Sequence, residues 1–335
     1  MTDPSAQTSD SATQPPSPWR FCIAPMLDWT DRHYRFLARQ LSRHARLYTE
    51  MVTTGALVHG DVERHLRFDK AEHPVALQLG GSDPQALAES ARLGADWGYD
   101  EINLNVGCPS DRVQNGAFGA CLMAQPTLVA ECIAAMREAI DVPVTVKSRI
   151  GIDHQETYEE FREFVDIVAE KGGAEVFLVH SRKAWLKGLS PKQNRDVPPL
   201  RPEFATRLKQ ERPDLTVVLN GGLTEVESMQ TALAEVDGVM VGRAAYQNVG
   251  LLADIDAVLF GGEQPADRLT ALLAYRDYAA AEIDRGTRLP TLIKPILTLF
   301  QGRPGARAYR RHLSEQSPRR ADDPSVIDEA IELLR

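Results

Sequence analysis

After residue 18, short apolar runs alternate with amphipathic stretches along most of the chain. The runs at 21–27, 47–52, 75–79, 101–106, 142–147, 174–180, 216–220 and 238–241 are short and bounded by polar, Gly or Pro residues, as strands buried on both faces should be. Between them, 31–42, 83–97, 126–140, 158–171, 202–211 and 224–234 carry helical spacing, several opened by Asp, Thr or Pro at a cap position. Eight strands alternating with helices predict an α/β fold, a closed parallel (β/α)₈ TIM barrel. A doubly wound open sheet is the competing architecture. It gathers ligand residues at one switch point, whereas here each predicted strand ends in polar or Gly-rich residues, which favours the barrel.

From residue 267 the strands stop, and 267–285, 290–300, 306–315 and 325–334 read as helices. The pattern predicts a barrel domain over 19–262 and an all-helical domain over 263–335, joined through Gly261-Gly262-Glu263-Gln264-Pro265. Residues 1–18 are rich in Ser, Thr, Gln, Pro and Asp. Too few large apolar side chains lie there to offset ordering entropy, so a disordered tail is expected.

At 335 residues, with 43% hydrophobic and 25% charged side chains, the chain has room for one large core and a smaller one. No run approaches the roughly 18 apolar residues of a membrane span, and residues 1–18 lack a signal-peptide centre. A soluble cytoplasmic protein, expected to act as a monomer, is the reading. Cys22, Cys108, Cys121 and Cys132 show no paired zinc spacing and no disulfide-scaffold density, so no metal site is expected and the thiols should be reduced. The net charge of −9 argues against indiscriminate polyanion binding but leaves room for a local basic face.

A barrel brings its C-terminal strand ends to one mouth. There lie Pro25-Met26-Leu27, Gln78, Asn105-Val106-Gly107-Cys108-Pro109, Lys147-Ser148-Arg149, His180-Ser181-Arg182, Asn220-Gly221-Gly222 and Gly242-Arg243. Glycines after the last two strands let backbone N–H groups approach an anion, and Arg243 adds a cation, although a Gly-Gly pair can also just turn the chain. Lys147 ends a strand otherwise made of Val and Thr. Its ammonium could serve the N1/C2-carbonyl edge of a flavin, form a Schiff base, or simply pair with a carboxylate on a neighbouring strand. Gln78 and His180 suit the flavin reading, and the Schiff-base reading leaves them unused. Cys108, between Gly107 and Pro109 at a strand end, is the functional candidate among the thiols.

Two stretches are locally basic. Residues 182–195 hold Arg182, Lys183, Lys187, Lys192 and Arg195 around Trp185 with no acid. Residues 303–320 hold Arg303, Arg307, Arg310, Arg311, Arg319 and Arg320 against Glu315, with Arg307, Arg310 and Arg311 on one helical face. Basic residues with an interleaved aromatic suit a phosphate backbone, where an ordinary charge run is only a solvated face.

At residues 24–32 (APMLDWTDR), 101–110 (EINLNVGCPS) continuing into DRVQNGAFGACLM, then VTVKSRIGI, HSRKAWLKGLSPKQNR, LNGG, DGVMVGR and LFQGRPGAR, the sequence resembles the tRNA-dihydrouridine synthases, specifically the A-type. The likeness runs over nearly the whole chain after Pro18, and the long HSRKAWLKGLSPKQNR run is what points to the A-type. It implies FMN held by Pro25, Met26, Leu27, Gln78, Lys147, His180, Asn220, Gly221, Gly222, Gly242 and Arg243. It further implies Cys108 as proton donor, and Asn105, Lys192, Arg195, Arg307 and Arg310 as tRNA contacts. Ser181 stands where the family more usually has Ala, and Tyr309 where it has Trp.

The implied reaction is NADPH-driven reduction, with NADH possible, of D-loop uridines conventionally numbered 20 and 20a, hydride going to C6 and the Cys108 proton to C5. The uridine must leave its stack to reach the pocket, a cost that contacts elsewhere on the tRNA must offset. The FMN motifs alone would equally suit a small-molecule flavin oxidoreductase resembling dihydroorotate dehydrogenase, which would not need the basic C-terminal helices. A Schiff-base aldolase using Lys147 and a non-enzymatic RNA-binding protein complete the alternatives. The first would be trapped by borohydride with substrate, and the second would purify colourless.

Overall fold

The computed structural model describes residues 16–110, 116–262 and 264–334. Most of the expected tail, the DRVQN part of the cysteine motif and Glu263 of the expected linker lie outside the described residues. The strands are β1 (Phe21–Ile23), β2 (Leu47–Tyr48), β3 (Val52–Thr53), β4 (Val75–Gly80), β5 (Glu101–Val106), β6 (Val144–Arg149), β7 (Val176–His180), β8 (Thr216–Asn220) and β9 (Gly238–Val241). All pair in parallel, β1-β9-β8-β7-β6-β5-β4-β2, with β3 also on β4. The circle closes where the Ile23 N–H donates to the Arg46 carbonyl and the Arg46 N–H to that of Phe21, each at 2.9 Å. This is the (β/α)₈ barrel.

Several boundaries differ from the sequence reading; the strand expected at 142–147 is β6 over Val144–Arg149, which puts Lys147 inside the strand and not at its end. The first strand stops at Ile23, so Pro25, Met26 and Leu27 belong to the loop over the mouth. The expected second strand is two short pieces on either side of residues 49–51, where Thr49 turns its hydroxyl to the Glu50 carbonyl at 2.7 Å and receives the Gln78 N–H at 3.0 Å. The expected helix at 290–300 is broken into Leu289–Leu292 and a 3₁₀ turn Pro295–Thr298, because Pro295 has no N–H to continue the first piece.

The helices start where side chains satisfy their free N–H groups. Asp31 accepts from the Tyr34 N–H, Asp83 from that of Ala86, Asp267 from those of Leu269 and Thr270, and Thr157 forms a capping box with Glu160. Their apolar faces bury the outside of the barrel. Inside it, Cys22, Ala24, Tyr48, Ala76, Val176, Leu178, Val218 and Met240 form a second, smaller apolar cluster.

Across β4–β6 the interior is polar and continuously hydrogen-bonded. Buried Glu101 accepts from Trp19 Nε1 (2.8 Å), Arg46 (3.0 Å), Tyr48 (2.7 Å) and Thr145 (2.5 Å). Thr145 Oγ1 in turn accepts from Asn103 (2.8 Å), and Asn103 Oδ1 from Gln78 Nε2 (2.7 Å). Such a chain must be complete to be tolerable in a core, and its completeness fixes the side chains at its upper end.

From Arg268 on, among the described residues, the chain is helical: Arg268–Asp284, Leu289–Leu292, Ala306–Gln316 and Ser325–Glu332, with the Pro295–Thr298 turn. The first of these packs on the helix Arg32–Leu41, where His33 Nδ1 meets the Tyr278 hydroxyl at 2.8 Å and the Phe36 and Tyr278 rings stack at 4.0 Å. Buried Glu282 takes both Arg67 guanidinium N–H groups, at 3.1 and 2.9 Å. Tyr309 is fully buried, edge-on to Phe300, so it packs beneath the helix that carries Arg307 and Arg310. No described helix is long and apolar enough to cross a membrane.

Candidate active site

Cys108 follows β5 on a turn held by Asn105. Asn105 Oδ1 accepts the N–H groups of Gly107 (3.1 Å) and Cys108 (3.0 Å), while its Nδ2 donates to Gln78 Oε1 at 2.8 Å. The Cys108 carbonyl receives the Ala120 N–H at 2.9 Å, so the turn is fixed on both sides. Asn105 is 8% exposed and already bonded at both ends of its amide, so its first role here is to position the cysteine turn. The other thiols contrast with Cys108. Cys22 and Cys132 are buried, burial pushing the Cys132 thiol up to about 12 and that of Cys22 higher, and burial also raises Cys121. Inert packing accounts for all three.

On β6, the strand paired with β5 beside the turn, period-two alternation sends Lys147 and Arg149 to the same side. Lys147 Nζ donates to Asn220 Oδ1 at 3.1 Å, and Asn220 Nδ2 to the Met240 carbonyl at 2.8 Å. No carboxylate pairs with Lys147 among the described residues, which removes the simple ion-pair explanation. Burial, and secondarily the charge of Arg149, lowers the Lys147 ammonium to about 7, with Cys108 acting in the opposite sense. His180 is held well below its ordinary value by burial and by Arg149, Lys147, Arg182 and Arg195, and among the described residues its ring has no hydrogen-bond partner.

Arg149 is the residue that the sequence reading left without a role. It is 3% exposed and donates to the carbonyls of Gly107 (3.2 Å), Lys183 (3.1 Å) and Asn194 (2.9 Å). It thus ties the cysteine turn to the loop after β7, and burial lowers its guanidinium to about 10. Its place two residues after Lys147 on one strand was the available signal. Fully buried Asn194, also unassigned by sequence, holds that loop shut through Trp185 and Leu189. Trp185 itself is clamped under Lys183 (4.1 Å to the ring) and against His154.

Gly221 and Gly222 have φ of 115° and 77°, a region that side chains other than glycine rarely adopt, and a Cβ on either would press on Leu200. At Gly242 a Cβ would meet nothing closer than 3.8 Å, so protein packing does not call for a glycine there. That opening beside Arg243 suits close approach of a ligand to the backbone. Arg243 donates to Asp196 at 2.8 Å, an exposed ion pair that a bound anion would have to replace. Leu27 is 67% exposed on the rim.

The expected cofactor set thus gathers at one mouth, with Cys108 and Asn105. Lys192 and Arg195 are exposed on the loop after β7, Arg195 near enough to influence His180. Arg307 and Arg310 belong to the C-terminal helices and line a separate cavity of about 220 Å³ with Phe300, Arg303 and Tyr309. A thiol on a rigid turn, beside a lysine and an arginine without acid partners among the described residues, can supply a proton where the neighbouring cations favour negative charge. An FMN fits this residue set: an electron-rich ring edge for Lys147, and a phosphate for the Gly221-Gly222 and Gly242-Arg243 loops.

In fold, the chain resembles a solved 2-naphthoyl-CoA reductase in complex with 2-naphthoyl-CoA, with a TM-score of 0.52 at 11% identity over 71% of this chain and 50% of that one. Closer relatives are curated proteins named tRNA-dihydrouridine(20/20a) synthase. The one from Yersinia pestis is 54% identical over 333 residues, covering 98% of this chain and 96% of its own. Those from Shigella flexneri and Escherichia coli are 54% and 53% identical over 316 residues, covering 94% of this chain and 93% and 91% of theirs. The sequence profile of the dihydrouridine synthases (Dus) matches residues 22–332, and with near-full-length identity above one half, the chain belongs to the dihydrouridine synthase family.

Proposed function

We propose that this protein reduces the C5–C6 double bond of uridines 20 and 20a in the D-loop of tRNA, using FMN with NADPH as reductant. The observation that carries the reading is Cys108 on a turn locked by Asn105 and Arg149, beside a lysine on the neighbouring strand whose charge no carboxylate among the described residues balances. Pro25, Met26, Leu27, Gln78, Lys147, His180, Asn220, Gly221, Gly222, Gly242 and Arg243 would hold the FMN. The chemistry that a bound FMN supplies is hydride delivery to C6 of uracil, replenished from NADPH. Cys108 gives its proton to C5, so the base gains one hydride and one proton, and the thiolate recovers its proton from solvent. Lys147 favours negative charge next to it, and neutral His180 donates or accepts a hydrogen bond without adding a second fixed charge.

Heat denaturation followed by chromatography of the released ligand should yield FMN, one per chain; release of FAD alone, or of no flavin, would contradict the assignment. The tRNA product after incubation with NADPH, cut by a guanosine-specific ribonuclease and its D-loop fragment sequenced by mass spectrometry, should carry dihydrouridine at positions 20 and 20a.

The basic cavity of the C-terminal helices favours tRNA over a small-molecule substrate. Arg303, Arg307 and Arg310 are exposed there and have no carboxylate partner among the described residues. Arg307→Ala and Arg310→Ala should each weaken tRNA binding and reduce the slope of log affinity against log salt by about 0.7–0.9, the value for one phosphate contact. Flavin content should stay constant. An unchanged salt slope in both variants would remove these residues from the interface.

A further inference from the structure

We propose that Trp29, backed by Tyr246, is a stacking platform for an unpaired nucleobase of the bound tRNA, next to the uridine that enters the mouth. The inference rests on the tRNA-reducing function proposed above and adds a contact of a different physical kind from the basic residues.

The two rings are parallel, 4.6 Å between centroids and 8° between planes. Tyr246 leans in turn on fully buried Tyr34 at 5.4 Å and 41°, and the Tyr34 hydroxyl donates to the Ala245 carbonyl at 2.9 Å. One end of this aromatic column is therefore anchored in the core. On its other side, among the described residues, no further ring and no cation packs on Trp29, its indole N–H donates to no protein acceptor, and the side chain stays partly exposed. The neighbouring Leu27 side chain, 67% exposed, extends the apolar surface. A core-packing tryptophan would be covered; this one is half-buried, and its loop is held from below. The Asp28 N–H donates to Glu50, and the Met26 N–H donates to Thr30 Oγ1 at 2.9 Å.

The position of the column identifies its partner. Met26, on the same loop, lies beside Gly242 at the mouth, its sulfur 3.8 Å from where a Cβ would stand. On the other side, the Tyr246 carbonyl accepts from Thr298 Oγ1 at 3.1 Å, and Thr298 leads directly into the Phe300–Arg310 segment that lines the basic cavity. A nucleic acid that reaches both the mouth and that cavity passes over Trp29. Extruding one nucleotide strips its neighbours of a stacking partner, and an aromatic face restores that contact whatever the base.

The test uses the full-length, flavin-loaded protein with Trp29→Leu and Trp29→Phe, measuring tRNA affinity over a range of salt, flavin content and melting temperature. Trp29→Leu should lose about 5–150-fold in tRNA affinity, the range for one base stacked on an aromatic side chain, with the salt slope and flavin content unchanged. Trp29→Phe, which keeps a ring, should recover most of that loss. Wild-type affinity in Trp29→Leu overturns the proposal, as does equal loss in both variants in step with melting temperature, which marks a structural stack. Failure of the wild-type protein to bind tRNA at all would instead overturn the underlying functional reading.

Discussion

Cys108→Ala should keep its FMN and its oxidation of NADPH yet lose dihydrouridine formation by about 10²–10⁴-fold, the usual worth of a positioned general acid. The thiol lies on a turn fixed through Asn105 and the Ala120 N–H, and it is near enough to Lys147, Arg149 and Arg195 to influence their charges. Removing the sulfur leaves those bonds in place, since Asn105 and Ala120 contact the backbone of residue 108. The fold and the cofactor site should therefore survive. Single-turnover reoxidation of the reduced flavin by tRNA isolates the step, and wild-type speed in the variant would refute the acid role. A structural cysteine predicts the reverse: lower stability or flavin content, and normal turnover per loaded molecule.

Lys147→Met should separate function from stability. The ammonium makes one hydrogen bond, to Asn220, and burial lowers it to about 7 from an ordinary 10.5. Losing a charge-assisted bond to the bound flavin should weaken flavin retention by about 10–150-fold. The cofactor-free protein should become more stable at neutral pH, by on the order of 1–4 kcal/mol, because a poorly compensated cation leaves the barrel. The sign of the pH dependence follows from the lowered folded-state value. Below about 7 lysine is charged in both states and the folded protein bears the full penalty. As pH rises from about 7 towards 10.5 the folded group loses its proton first and the penalty fades, so wild-type stability rises relative to the variant over that window. Denaturant titration of the flavin-free proteins at pH 6.5 and at roughly pH 9.5 measures the gap, which must shrink with pH. A Lys147→Met protein that retains flavin as tightly as wild type would remove Lys147 from the site.

Local patterning carried most of the architecture. Apolar runs of strand length such as VALQL and TVVLN, cap residues Asp31 and Asp83, and the loss of alternation after residue 267 were all legible, because each reports burial or backbone satisfaction within a few residues. The strand-end residues of the mouth were legible too, since a parallel barrel leaves its C-terminal strand ends little choice of direction. Tertiary structure decided what those residues touch. That Lys147 faces Asn220 and not a carboxylate, that Arg149 bridges Gly107 to Lys183 and Asn194, and that Arg243 meets Asp196 depend on the register of strands and loops far apart in sequence. Asn105, a tRNA contact by the family likeness, also bonds Gln78 and the backbone of Gly107 and Cys108, a supporting place that its residue type alone did not show. Hydrophobic period sets which face a residue occupies; only the closed packing of β4, β5 and β6 with the loops above them sets its partner, and a buried polar group takes its role from that partner.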